Sequence, residues 1–194
     1  MDENVLVLNV CKERLHGLEF VRPVEEILRQ SKLDHETCHY KQLTERILNR
    51  CTHMIICGTS LRDNHFIEDV DKFRWLFDNF PDKPVLGICA GMQIIGVTFG
   101  EKLKKNQEIG YYHEKVSEDF LGLEKDFDEG EYEVWHLHNS YVDFSENAWK
   151  IFMRSSDAVH IPQAVKHKEK KIYGVLFHPE VRQKEMILEF VKNG

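Results

Sequence analysis

The stretch Val85-Leu-Gly-Ile-Cys-Ala-Gly-Met-Gln93 narrows the folds open to this chain more than any other. A short apolar strand runs into Gly87-x-Cys89-x-Gly91, and an apolar helical pattern over Met92–Phe99 follows at once. A strand that becomes a helix through a sharp turn holds the turn residue above the end of its sheet, the geometry of a nucleophile elbow. Glycines flank the cysteine where neighbouring backbone leaves no room for a Cβ. A sulfur at a helix N-terminus has its thiolate favoured by free N–H groups and the helix dipole. The Ala90 N–H is placed to donate to an oxyanion. The bland alternative is a buried core cysteine between two glycines.

The rest of the first half supports a layered fold. Val5–Val10 reads as a buried strand, and residues 20–30 as a helix with Pro23 near its start. A short extended segment at His35–Tyr40 precedes a helix at Leu43–Asn49. Met54–Cys57 is a strand running into Gly58, residues 66–79 repeat the helical pattern, and Pro84–Ile88 is the strand that feeds the elbow. Strands alternating with helices predict βαβ units and an α/β fold with a mostly parallel, doubly wound sheet. The second half is more antiparallel. Residues 111–116, 131–144, 159–166 and 171–177 read as strands, Lys166–Lys171 as a hairpin tip, and Gln183–Lys192 as a closing helix. No repeat, linker or boundary interrupts the 194 residues, so 1–194 is expected to be one domain. With 42% hydrophobic and 30% charged residues, the chain is neither disordered nor a disulfide-stapled miniprotein.

A nucleophilic cysteine needs a base. The strand Ile172-Tyr-Gly-Val-Leu-Phe177 ends in His178-Pro179-Glu180. A two-residue spacing in extended chain places His178 and Glu180 on one side, where the carboxylate orients the imidazole and stabilises its cation. Taken alone, this is a turn with an incidental histidine.

Together, the elbow at Cys89 and the strand ending Phe177-His-Pro-Glu180 resemble the class I (triad-type) glutamine amidotransferases, from the first strand to the last helix. The resemblance implies a flavodoxin-like sheet, with Cys89 as nucleophile, His178 as general acid/base and Glu180 as its orienting carboxylate. It implies an oxyanion hole from the backbone N–H groups of Thr59 and Ala90. The family's Gly-Gly-Pro-like loop is here Gly58-Thr59-Ser60, which keeps only the first glycine. Gly58, Gln93, Asn139 and Ser140 fall in segments that bind glutamine in the family. The implied reaction is hydrolysis of L-glutamine through a Cys89 thioester, with no metal or organic cofactor. The chain has no G-x-x-x-x-G-K-[ST] phosphate loop, so the ammonia-consuming synthase is expected on a separate polypeptide. The run Ala164–Val181 is most similar to separate amidotransferase subunits of GMP synthase, from which Thr59, Met92 and Leu176 depart. The alternatives are a stand-alone γ-glutamyl hydrolase or peptidase-like relative with the same triad, and a non-catalytic regulatory scaffold.

Other features are set aside. His35-Glu-Thr-Cys-His39 matches the H-E-x-x-H letters of zinc peptidases, but that motif works on a helix and this segment reads as a polar strand. His136 alternates with His138 and is expected to be a satisfied structural histidine. The acidic stretch 118–133 reads as a solvated face. A net charge of −7 argues against a nucleic-acid partner. The longest apolar stretch, Val85–Phe99, is too short and too interrupted to span a membrane. The start Met1-Asp-Glu-Asn4 lacks the form of a secretory signal. Five cysteines without a C-x-x-C pair suit a reducing compartment, and a cytoplasmic location is expected.

Overall fold

Strand β1 (Asn4–Asn9) feeds two hydrophobic layers at once. Val5 and Val7 point into one, Leu6 and Leu8 into the other, and all four are fully buried. A strand buried on both faces belongs in a parallel sheet with helices on either side, and the computed structural model has that arrangement. It describes residues 3–157 and 159–194; the acidic start at 1–2 and the side chain of residue 129 lie outside the described residues.

One sheet runs in the order β2 (Asp34–His39), β1, β3 (His53–Ile56), β4 (Val85–Ile88), β9 (Ile172–Val175), β8 (Pro162–His167), β7 (Trp149–Arg154), β5 (Lys102–Val116), β6 (Glu131–Asp143). The first five are parallel to one another and the remaining pairings are antiparallel. Helices α1 (Arg14–Phe20), α2 (Arg22–Gln30) and α6 (Lys184–Asn193) cover the Val5/Val7 face through Phe20, Ile27, Leu28 and Phe190. Helices α3 (Glu45–Arg50), α4 (Val70–Asn79) and α5 (Ala90–Thr98) cover the Leu6/Leu8 face through Leu48, Phe73, Phe77 and Ile95. Among the described residues, no helix is long and apolar enough to cross a membrane.

The alternating first half is as anticipated, with four adjustments. The helix expected at 20–30 starts at Arg22, with Pro23 in its first turn, and a separate α1 precedes it. The one expected at 43–49 starts at Glu45, capped by Thr44 Oγ1, which accepts from the Ile47 N–H at 3.4 Å. The one expected at 66–79 is a 3₁₀ turn over His65–Ile67 followed by α4. The extended segment expected at His35–Tyr40 is edge strand β2, which ends at His39 and runs parallel to β1, with Tyr40 opening a 3₁₀ turn. Its His35 and His39 rings sit against the carbonyls of Leu33 and Cys11, so the zinc-peptidase letters carry no helix-borne ligand pair.

The second half departs further. The segment 111–116 is only the end of the 15-residue β5. Its polar first half is held by ladder hydrogen bonds to β6 rather than by an apolar face. β7 lies at 149–154, where no strand is anticipated, and the strand expected from 159 begins at Pro162. The Lys166–Lys171 tip does join two antiparallel strands. His167 Nδ1 caps it by accepting from the Glu169 and Lys170 N–H groups at 3.1 and 3.2 Å.

Candidate active site

The elbow forms because three constraints meet at one residue. The Cys89 N–H donates to Val175 O at 2.7 Å, tying the end of β4 to β9. Helix α5 begins at the next residue, so the chain must turn within Cys89 itself, and it does so at φ 50°, ψ −104°. Side chains other than glycine resist such a conformation, at about 1–3 kcal/mol. Gly91 follows from close approach: a Cβ there would lie 2.1 Å from Ile56 O. Cys89 is 3% exposed, and its Sγ lies 3.6 Å from Leu137 O. Ala90 occupies the first helical position, where a backbone N–H has no acceptor inside the helix.

His178 lies just beyond β9, and its N–H donates to Trp135 O at 2.8 Å. Its Nδ1 is 2.7 Å from Glu180 Oε1, both side chains are buried, and the Phe20 ring packs 5.5 Å away. The two-residue spacing has brought His178 and Glu180 together as anticipated. Nε2 has no hydrogen-bond partner among the described residues. A Cβ on Gly58 would fall 2.7 Å from His178 Cε1 and 3.5 Å from Cys89 Cβ, so imidazole and thiol-bearing carbon flank the same point. Burial opposes a charged imidazole here, but the negative charge of Glu180, with its hydrogen bond to Nδ1, and the neighbouring Cys89 hold His178 well above its ordinary pKa. The arrangement therefore favours the charged imidazolium form of His178.

The other cysteines lie away from this imidazole. All five are free. Burial pushes Cys11 and Cys38 up to about 11, and raises Cys51 and Cys57 as well. These four are held as neutral thiols at neutral pH.

A narrow cleft at Cys89 is lined by Thr59, Ser60, Leu61, Asp63, Asn64, Phe66, Ala90, Gln93, Leu137, His138 and Asn139, with about 10 Å³ of free space, room for about one water. Thr59 and Ala90 thus share the cleft with the sulfur. The loop Gly58-Thr59-Ser60 is fixed by Asp63, whose Oδ2 accepts from Thr59 Oγ1 at 2.8 Å and from the Lys12 N–H at 3.0 Å. The same oxygen lies 2.8 Å from His16 Nδ1 on α1. Burial alone would raise the Asp63 pKa, but the hydrogen bonds from His16, Thr59 and Lys12 lower it. Nothing in the sequence marked Asp63, because the partners it joins lie far apart along the chain.

Gln93 lines the cleft, but its Nε2 donates to Ser140 O at 2.8 Å and so anchors β6 to α5. Asn139 also lines the cleft, and its Nδ2 donates to Leu61 O at 2.9 Å. The Ser140 hydroxyl lies behind that wall, between Asn139 Oδ1 and Lys105 Nζ, each at 3.0 Å.

Beneath this wall is a buried polar cluster of which the sequence pattern signals only the histidines. Glu108, His136, His138 and Gln163 are 3%, 0%, 2% and 0% exposed. Glu108 Oε2 lies 2.7 Å from His138 Nε2 and accepts from Gln163 Nε2 at 2.9 Å. Burial would raise the Glu108 pKa, yet these neighbours lower it. His136 is not the satisfied histidine expected: neither ring nitrogen has a hydrogen-bond partner among the described residues. Its ring packs edge-on to Tyr112 and Phe177, and burial pulls its pKa down to about 3.

A cysteine on a strand–helix elbow, beside a buried His–Glu pair above the parallel strands of a doubly wound sheet, defines a triad-type hydrolytic site. Comparison with known proteins narrows the class. The family model for glutamine amidotransferase class I matches residues 17–194, and the chain belongs to that family. One subunit of the glutamine-hydrolysing GMP synthase of Methanococcus aeolicus is 36% identical over 113 residues, 57% of each chain. The corresponding subunit from Methanocaldococcus jannaschii is 34% identical over 115 residues, again 57% of each. The matched part thus spans little more than half of these relatives. A crystal structure of a Thermoplasma acidophilum protein described as a candidate GMP synthase subunit superposes with a TM-score of 0.83 at 21% identity. It covers 99% of this chain and 94% of that one. A Thermotoga maritima glutamine amidotransferase gives 0.70 at 20% identity, over 99% and 82%. At such identities the structural likeness speaks for the fold alone.

Proposed function

We propose that residues 1–194 act as one glutaminase domain, hydrolysing L-glutamine to glutamate and ammonia through a thioester on Cys89. The observation that carries this reading is the strained elbow cysteine facing an imidazole held cationic by a buried carboxylate. The Cys89 thiolate adds to the side-chain amide carbon. The resulting oxyanion is met by the backbone N–H groups of Thr59 and Ala90. His178 gives its Nε2 proton to the amide nitrogen as the C–N bond breaks and ammonia leaves. It then takes a proton from water, which attacks the thioester and releases glutamate and the thiolate. Glu180 holds the imidazole by Nδ1 throughout. Gly58 leaves the space in which thiol and imidazole meet, the main chain of the Asn139–Ser140 segment faces the substrate's amino-acid end, and Gln93 holds that wall in place.

The ammonia acceptor in this proposal is a synthase on a separate chain, of the GMP synthase type, as the names of the matched relatives suggest. The chain's own surface supports a docked partner. Leu15 and Leu18 on α1 are 75% and 57% exposed, and α1 reaches the cleft through His16 and Asp63. The free cysteines suit a cytoplasmic setting. The test is to incubate the chain, with and without the synthetase component of a GMP synthase, with a γ-diazoketone analogue of glutamine. A mass increase on a Cys89 peptide, loss of that label in Cys89→Ala, and equal release of glutamate and ammonia are expected. No label under either condition, or faster turnover of γ-glutamyl peptides than of glutamine, overturns the reading.

A further inference from the structure

We propose that Glu108, His136 and His138 form a buried site for a divalent transition metal of the zinc class, separate from the glutamine chemistry. Their ligand atoms all lie within 4.8 Å of one another. Glu108 Oε2 is 2.7 Å from His138 Nε2 and 4.0 Å from His136 Nδ1. In a tetrahedral zinc site with bonds of about 2.0–2.1 Å, neighbouring ligand atoms sit about 3.3 Å apart. The first distance must therefore open and the second close, each by less than about 1 Å.

The backbone builds the cluster. The β5–β6 pairing steps from Lys105↔Ser140 to Glu108↔His138, so residues 106 and 107 together oppose Asn139 alone. A bulge of this kind re-aims side chains, and here it turns a glutamate inward from an otherwise polar, solvated run. His136 and His138 alternate along β6 and so face the same layer.

Two observations beyond the grouping of residue types point to a cation. The first is His136: fully buried, with Nδ1 4.0 Å from the carboxylate and, among the described residues, no hydrogen-bond partner on either nitrogen. Buried polar groups in folded proteins are nearly always answered, and a neutral imidazole with an unused lone pair is the form that binds metal. The second is charge. A buried carboxylate is answered by a positive charge close by, and the groups at the Glu108 carboxylate are two imidazoles and the Gln163 amide. A divalent ion held by both rings supplies that charge and uses the idle nitrogen. Two imidazoles and one carboxylate suit zinc better than the all-oxygen cations. Gln163, whose Nε2 donates to Glu108 Oε2, also has a buried Oε1 without a partner among the described residues. Because His138 and Leu137 also line the cleft, a bound ion would brace the wall behind Cys89 without touching the reacting atoms.

The test uses the full chain, stripped with a chelator and titrated with Co²⁺, then with Zn²⁺ against a chromophoric competitor. One equivalent per chain is expected, with the visible spectrum of a four-coordinate N/O site and no thiolate-to-cobalt band. Affinity is expected to fall at least about tenfold in His136→Gln and in Glu108→Gln, and to be unchanged in Cys89→Ser. The wild-type spectrum decides the matter even where a variant does not fold. A thiolate band, loss of binding in Cys89→Ser, retention in both ligand variants, or no stoichiometric binding by the wild type overturns the assignment.

Discussion

Replacing Cys89 by alanine and by glycine separates the cost of its backbone conformation from the loss of its thiol. Both variants remove the sulfur, so both are expected to lose glutamine hydrolysis. They differ in the Cβ, which is what makes φ 50°, ψ −104° unfavourable. A residue held in such a region costs about 1–3 kcal/mol, and glycine escapes that cost. Against this, glycine loses more chain entropy on folding than alanine, about 0.5–1 kcal/mol. The balance makes Cys89→Gly more stable than Cys89→Ala by about 1 kcal/mol. For a chain of this length that is about 2–4 °C in Tm, readable by calorimetry or dye-monitored melting. Helix N-caps favour glycine over alanine in general, so the comparison needs an internal reference. Glu13 caps α1 with an ordinary extended backbone, φ −94°, ψ 136°, and is exposed. The glycine-over-alanine gap at 89 is expected to exceed the gap at 13. An equal or smaller gap refutes the claim that the elbow stores strain.

Other perturbations probe the neighbourhood. Gly58→Ala places a Cβ 2.7 Å from His178 Cε1; displacing the imidazole is expected to lower kcat by about 10²-fold or more while the circular dichroism stays unchanged. Glu180→Gln removes the carboxylate that raises His178, so kcat is expected to fall by about 10²–10⁴. The alkaline limb of the pH–rate profile should also move to lower pH, because the imidazolium is lost sooner; an unmoved limb contradicts the role given to Glu180. Thr59→Gly restores the family's glycine but removes the bond to Asp63, and is expected to lower turnover rather than raise it. Glu114, buried beside Ser156, has its pKa raised by burial from 4.5 to about 7. Its folded form holds a proton that the unfolded chain has lost, so stability is highest below about 4.5 and falls as pH rises through about 7. The interval corresponds to at most about 3 kcal/mol. Glu114→Gln is expected to flatten that fall in urea titrations across this range, and an unchanged slope contradicts the assignment.

The parallel half of the fold was legible because its strands are buried on both faces and its helices carry an apolar stripe; Val5–Leu8 and Ile67–Phe77 declare themselves by period. The first half of β5 did not, since Lys102–Glu108 owes its conformation to ladder bonds with β6 that leave no mark on side-chain identity. Helix α1 was unreadable for a related reason: Leu15 and Leu18 face solvent, so no buried stripe exists to detect. Cys89, His178 and Glu180 could be read because each is tied to a local turn. Asp63 and Glu108 could not. Each is a carboxylate in a polar run that reads as surface, and only long-range pairing turns it inward.

The Asp63 carboxylate makes the loop after β3 and the first helix one mechanical unit. Through a single oxygen it joins the start of the chain at Lys12, the exposed leucine-bearing helix at His16 and the cleft at Thr59. The loop's conformation is therefore chosen when the chain folds, so in the proposed reaction no ordering penalty at Thr59 is subtracted from affinity. The linkage also works in the other direction. A displacement applied to α1 from outside reaches Thr59 through two hydrogen bonds, without any need to deform the sheet.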